Sequence, residues 1–200
     1  MLGSKIGRRL DTPARYLIHF IFRGKVSPFT FTSLGLLLNA GAAVIFVIGD
    51  LRWGGVLILI AGIFDILDGA AARTLGKVSQ FGGFLDSVID RYSDMFLLIG
   101  LTLRYSMEGN TLLVALTLAV SLGTILVPYT RARAENFIPR CNVGLMERPE
   151  RIILLAAGAL FNLMTAVLWL LAILTHLTAI QRIYHTWKEA RKNEVDVDNY

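Results

Sequence analysis

Residues 65–94 read DILDGAAARTLGKVSQFGGFLDSVIDRYSD, and five of the chain's fifteen acidic residues fall in this window: Asp65, Asp68, Asp86, Asp90 and Asp94. Asp65 and Asp68 are three residues apart, and Asp86, Asp90 and Asp94 follow at intervals of four. Each set therefore shares one side of a helix. Apolar sequence continues outward from both sets, over 53–67 before the window and 83–103 within and after it, which puts the carboxylates at or inside the ends of two membrane-length segments. Ionisable groups at that depth cost several kcal/mol unless they are paired or hold a cation. A salt-bridge cluster with Arg73 and Arg91 cannot absorb five carboxylates.

Working outward, further apolar runs lie at 31–49, 111–129 and 152–180. The last is too long for one comfortable crossing, and Asn162 near its middle, between Gly158 and the next apolar run, marks a tight turn. The expectation is an all-α integral membrane protein of six transmembrane helices. Composition agrees: 54% hydrophobic against 18% charged residues and a mean hydropathy of +0.58 exclude a disordered chain and an ordinary soluble domain. Cys141 is the only cysteine, so an intrachain disulfide framework is excluded as well.

The basic residues set orientation. Eighteen of the twenty lysines and arginines fall on one side of the six spans, and only Arg52 and Arg104 fall on the other. Both termini are then expected in the cytoplasm of a multi-pass cell-membrane protein, with the aspartates at the cytoplasmic level. The net charge of +5 is a topology signal, and no nucleic-acid partner is expected. Residues 1–25 carry Leu10, Ala14, Leu17, Ile18 and Ile21 at helical spacing with Arg8, Arg9 and Arg15 on other faces. They read as an N-terminal interfacial amphipathic helix rather than a signal peptide. The whole chain, 1–200, is expected to be one domain: this helix, a six-helix core over 26–185 and a cytoplasmic tail over 186–200.

Carboxylates on two facing helix ends, with no histidine or cysteine beside them, suit hard divalent ions, Mg2+ or Mn2+. Their number suits a pair of ions about 3.5–4 Å apart. The connection between the helices holds Gly69, Gly76, Gly82 and Gly83 with Arg73 and Lys77, so backbone can approach a ligand closely beside cations suited to a diphosphate.

The pattern Asp65-x-x-Asp68-Gly69-x-x-Ala72-Arg73, eight residues, then Gly82-x-x-x-Asp86-x-x-x-Asp90 resembles the complete signature of the CDP-alcohol phosphotransferases, with every fixed position and gap present. The resemblance implies transfer of a phosphatidyl or similar group from a CDP-linked lipid to an alcohol, with release of CMP. It implies that Asp65, Asp68, Asp86 and Asp90 ligate two divalent ions, with Asp90 also the general base. It further implies that Thr32, Asp68, Gly69, Ala72, Arg73, Ser79 and Gly82 line the nucleotide. Phe29 stands where the family often has asparagine. Asp94 lies beyond the signature and reads as the structural partner of an arginine.

Two segments, 129–135 and 144–151, place four arginines at the cytoplasmic ends of spans 4 and 5. A phosphate-bearing acceptor needs such a forked cationic pocket. Arg131 and Arg133 are too close in sequence to share one helix face, so one of them should point elsewhere. These segments resemble the branch of the family whose donor is CDP-diacylglycerol and whose acceptor is inositol phosphate. That likeness implies that Arg131, Arg133, Arg151 and Arg182 hold the acceptor phosphate, and the family implies a homodimer. Glycerol 3-phosphate and free inositol are the alternative acceptors, and an archaeal lipid donor would look the same. A cation channel or transporter explains the aspartates but not the Gly69, Ala72, Arg73 and Gly82 frame.

Overall fold

A computed structural model describes residues 28–74 and 79–197. The interfacial helix expected at 1–25 lies outside the described residues. Among those described there are six α-helices and no strand: α1 (Pro28–Ile48), α2 (Leu51–Thr74), α3 (Gln80–Met107), α4 (Thr111–Ala134), α5 (Arg148–Leu160) and α6 (Met164–Val197).

The ends of these helices follow from local chemistry. The Asp50 side chain accepts from the Arg52 N–H at 2.9 Å and so starts α2. Ser79 caps α3, its hydroxyl accepting from Gly82 N at 2.9 Å, and Asn110 caps α4 by accepting from Leu113 N at 3.1 Å. Pro149 opens α5, where its missing N–H removes no helical bond. The break expected at Asn162 is present: Asn162 has φ 58°, and Leu163 N returns to Gly158 O at 2.8 Å. Asparagine tolerates this left-handed conformation better than most residues, so the turn needs no glycine.

Four of the six helices are long and apolar enough to cross a membrane: Phe29–Ile48, Leu51–Ala71, Thr111–Ala134 and Met164–Lys192. The other two differ for separate reasons. Helix α3 is long but carries Asp86, Asp90, Arg91 and Asp94 within its first fifteen residues. Helix α5 has 13 residues, about 20 Å of rise against a hydrocarbon core of about 30 Å. Helix α6 runs unbroken into the stretch assigned to the tail, as far as Val197.

Packing joins α1 to α2 and α3, α2 to α5, α3 to α4, α4 to α6 and α5 to α6. The central core is built from Phe46, Ile58, Leu97, Leu101, Leu168 and Leu171, all fully buried. Small residues let backbones approach: a Cβ on Gly100 would fall 2.6 Å from Ala43 O, and one on Gly55 would fall 2.9 Å from Ala159 Cβ. Large apolar side chains such as Leu37, Ile48, Leu112, Leu122, Ile173 and Ile180 face outward. In lipid that is their low-energy environment. The second half of α2, the first half of α3, the end of α4, the start of α5 and Arg182 of α6 meet at one end of the bundle, where the charges collect.

Candidate active site

Two helices, α2 and α3, carry the carboxylates, and α1 packs against them. Thr32 of α1 donates its hydroxyl to Asp68 Oδ2 at 2.9 Å in a buried bond that ties α1 to α2. Gly35, one turn further on, brings α1 close to Asp65: a Cβ there would lie 3.5 Å from Asp65 Oδ1. On α3, Asp86 is close enough to both Asp68 and Asp90 for their charges to repel, and Asp90 also feels Asp94. The two sets of aspartates predicted to meet at one level do meet.

What stands between them is an arginine the sequence reading left unassigned. Arg148, the first residue of α5, pairs with Asp65 of α2 and, at 2.9 Å, with Asp90 Oδ1 of α3. Its Nε lies 3.5 Å from Asp94 Oδ1. Next to it Arg151 donates to Asp94 Oδ2 at 2.6 Å and to Met146 O at 3.3 Å, with both charged side chains of that pair almost fully buried. Asp94 therefore has the arginine partner expected of it. Of the arginines close in sequence, Arg91 stands 3.9 Å from Asp90 and donates to Ser87 O, while Arg73 folds back towards Gly69 and attracts Asp68. The main compensation comes instead from residues nearly sixty positions downstream. The signal for them was the segment Glu147-Arg148-Pro149-Glu150-Arg151, read for its acceptor arginines rather than as the counter-charge to the aspartates.

Among the described residues no three carboxylate, histidine or cysteine side chains surround a single point as a ligand set. The donor chemistry nevertheless fits hard divalent ions. Asp65 and Asp90, from different helices, already reach one cationic group at the same time, and Asp68 and Asp86 add two further carboxylates whose charges couple to Asp90.

Of the residues expected at the nucleotide, Thr32 lies on α1, Asp68, Gly69, Ala72 and Arg73 near the end of α2, and Ser79 and Gly82 at the start of α3. At Gly82 an added Cβ would sit 2.9 Å from Ser79 Oγ, the atom that caps α3. The Ala72 side chain and residues 75–78, Lys77 among them, lie outside the described residues.

Beside Asp90 and Arg148 opens a cavity of about 470 Å³ whose walls include Asp90, Arg131, Glu147, Arg148, Arg151 and Arg182. Arg131 lies 3.2 Å from Glu135 and 3.3 Å from Glu147. Arg182 is almost wholly buried; it donates to Val143 O at 2.9 Å and to Val127 O, with Glu147 at 3.8 Å. Arg133 is not part of this wall. Its guanidinium lies over the Phe137 ring, 5.4 Å from the centroid, because two residues along a helix turn the side chain to the opposite face.

Residues 25–184 match the family described as CDP-alcohol phosphatidyltransferase. The chain belongs to that family. It is an enzyme of phosphatidyl transfer, as the aspartate signature implied. Among its relatives, the archaetidylinositol phosphate synthase of Pyrococcus horikoshii is 36% identical over 92% of this chain and 96% of its own length. The enzyme of the same name from Methanothermobacter thermautotrophicus is 39% identical over 80% and 83%. Among solved structures, the phosphatidylinositol phosphate synthase of Mycobacterium tuberculosis with CDP-DAG bound superposes with a TM-score of 0.78 at 32% identity, covering 90% of this chain and 94% of that one. The same enzyme in complex with manganese and citrate also gives 0.78 at 32% identity, covering 88% of each chain.

Proposed function

We propose that this phosphatidyltransferase moves the lipid phosphate of a CDP-linked lipid, CDP-diacylglycerol or an archaeal ether equivalent, onto a hydroxyl of inositol phosphate, releasing CMP. The observation that carries the acceptor is the cavity: three buried or half-buried arginines, Arg131, Arg151 and Arg182, face one hollow directly beside Asp90. A dianionic phosphate monoester is what such a set of forked donors recognises. The names of the relatives support the same acceptor. Arg133, stacked on Phe137, takes no part in this reading.

Asp65, Asp68, Asp86 and Asp90 would hold two divalent ions, Mg2+ or Mn2+, which supply positive charge to the diphosphate and to the departing CMP. The Mycobacterium tuberculosis relative solved with manganese supports this. The protein's own share of the chemistry is placement and one proton. Asp90 stands where the carboxylate cluster meets the cavity, so it can accept the proton of the acceptor hydroxyl as that oxygen attacks the lipid-bearing phosphorus and the bond to the CMP oxygen breaks. The phosphate of the acceptor, anchored by the arginines at the far wall, fixes which hydroxyl reaches that phosphorus. Thr32, Gly69, Ala72, Arg73, Ser79 and Gly82 would line the nucleotide on the opposite side, with Arg73 on the diphosphate.

Six crossings of the cell membrane, cytoplasmic termini and a site facing the cytoplasm belong to the same reading, supported by the one-sided placement of eighteen of the twenty basic residues. The homodimer rests on family resemblance alone.

The test is CMP release by the purified chain in detergent with Mn2+ or Mg2+. The donor arms are CDP-diacylglycerol and its archaeal ether counterpart; the acceptor arms are inositol phosphate, inositol, glycerol 3-phosphate and serine. Inositol phosphate should be used fastest, and a chelator should abolish release until the metal is restored. Faster use of glycerol 3-phosphate would reassign the acceptor. No CMP with any of these pairs would overturn the proposed donor and acceptor.

A further inference from the structure

We propose that Arg148 is an exchangeable counter-cation: it and the divalent ions compete for Asp65 and Asp90, and the guanidinium they displace turns into the adjoining cavity to take the acceptor's phosphate. This inference rests on the function proposed above and adds a residue and a coupling to it.

Three observations and one electrostatic rule point to it. Arg148 is held by two carboxylates from two different helices, Asp65 and Asp90, and these are two of the residues assigned to the ions. Two cationic groups cannot use the same carboxylate oxygens at close range without strong repulsion, so occupancy by one weakens the other. Arg148 is only partly engaged where it is: its Nε and Asp94 Oδ1 are both buried, 3.5 Å apart, and neither has a hydrogen-bond partner. Finally, Arg148 also lines the cavity, so the side chain has somewhere to go that does not expose it to lipid. Its neighbour Arg151 differs. It is bound to Asp94 at 2.6 Å and to Met146 O, neither of them an assigned ligand, and it should stay in place.

The coupling follows thermodynamically. If an ion releases Arg148 and the released guanidinium binds phosphate, then phosphate must tighten the ion by the same factor as the ion tightens phosphate. Acceptor and metal would load together, which protects the CDP-lipid from attack by water while the acceptor site is empty.

The experiment titrates Mn2+ into the full chain in nanodiscs and reads free Mn2+ by its paramagnetic resonance signal, with and without inorganic phosphate as the probe for the acceptor group. Arg148→Gln should bind Mn2+ about tenfold more tightly than wild type, within the usual range of such couplings, and Arg148→Lys should fall between them. Arg131→Gln removes the same charge from the same cavity without touching Asp65 or Asp90, so it should change Mn2+ affinity much less. Phosphate should tighten Mn2+ in the wild type and lose that effect in Arg148→Gln.

An Arg148→Gln affinity no tighter than that of Arg131→Gln would overturn the exchange, and so would phosphate coupling that survives the substitution. CMP is run in parallel with phosphate. Coupling to CMP that vanishes with Arg148, while coupling to phosphate persists, would put the freed side chain on the nucleotide and overturn its acceptor role.

A second measurement uses only the wild type, so it stands if Arg148→Gln fails to fold. Phenylglyoxal modification, located by mass spectrometry, should speed up at Arg148 but not at Arg151 when Mn2+ is added; no change at Arg148 overturns the proposal. Failure of the underlying function looks different. A wild type that binds no Mn2+ and releases no CMP removes both readings, whereas normal Mn2+ binding and CMP release with no Arg148 effect removes only this one.

Discussion

Arginine appears at both ends of the bundle, and its partners differ. At the charge-poor end Arg104 of α3 donates to Phe46 O in the last turn of α1 at 3.1 Å and to Gly49 O just beyond its end at 2.8 Å, and pairs with Glu108 at 2.9 Å. At the other end the charges of Arg148 and Arg151 are met by carboxylates, Asp65 and Asp90 for Arg148 and Asp94 for Arg151. Backbone carbonyls at a helix C-terminus lack partners in any state of the protein, so Arg104 is a fixed cap. Carboxylates are different, since any cation can satisfy them. The same side chain is therefore a staple at one end of the molecule and a replaceable part at the other.

The sharpest way to test that contrast is to remove a carboxylate rather than an arginine. Asp90→Asn keeps the volume and an acceptor oxygen for Arg148 but deletes the proton acceptor, and CMP release should fall by about 10²–10⁴-fold. Thermal unfolding should be nearly unchanged, and substantial turnover would remove Asp90 from the role of base. Arg151→Ala comes next. It leaves the Asp94 carboxylate buried without its partner, a change worth about 3–5 kcal/mol in thermal or denaturant unfolding, and it should raise the KM for the acceptor more than that for the donor. Adding Asp94→Asn to an Arg151→Gln background should return most of the stability but not the acceptor KM. Full recovery of both would make Arg151 purely structural.

Between the two ends lies a contact that uses no charge. Gly100 of α3 meets the backbone of Ala43 of α1, where a Cβ would fall 2.6 Å from Ala43 O and 2.9 Å from Ala43 Cα. Backbone cannot swing away as a side-chain tip can. Gly100→Ala should lower stability by about 1–3 kcal/mol with little effect on the KM of either substrate, and an unfolding midpoint equal to wild type would mean that α1 and α3 separate at little cost.

How much of this could be read from the sequence follows the range of each interaction. Helix periodicity, the turn at Asn162 and the meeting of Asp65 and Asp68 with Asp86 and Asp90 all depend on residues within one or two helices, and they were legible. The facing of Arg131 and Arg133 to opposite sides was legible for the same reason, although which of them faces the cavity was not. Arg148 was missed because its role depends on how α5 docks against α2 and α3. No local spacing encodes a pairing between Asp65 and a residue 83 positions later. Apolar runs alone did not reveal how α3 and α5 divide their length: α3 carries four charged residues from Asp86 to Asp94, and α5 stops after 13 residues at the Asn162 turn.

The smallest expected effect belongs to Arg104→Gln, and it is the cleanest check on the contrast between the two ends. Losing two charge-assisted bonds to α1 at a partly exposed site should cost about 1 kcal/mol in unfolding, since water can reach the freed carbonyls. Asp90 and Arg104 are separated by about 21 Å along α3, more than twice the screening length of about 8–10 Å at ordinary ionic strength. Neither Mn2+ affinity nor CMP release should therefore respond. Arg104→Gln and Arg148→Gln remove the same charge, so a matching gain in Mn2+ affinity from both would mean that the ions sense total charge rather than who holds Asp65 and Asp90. With Arg104→Gln silent and Arg148→Gln not, total charge is excluded as the cause, and Arg131→Gln, which removes the same charge from the cavity that Arg148 lines, separates partners from distance.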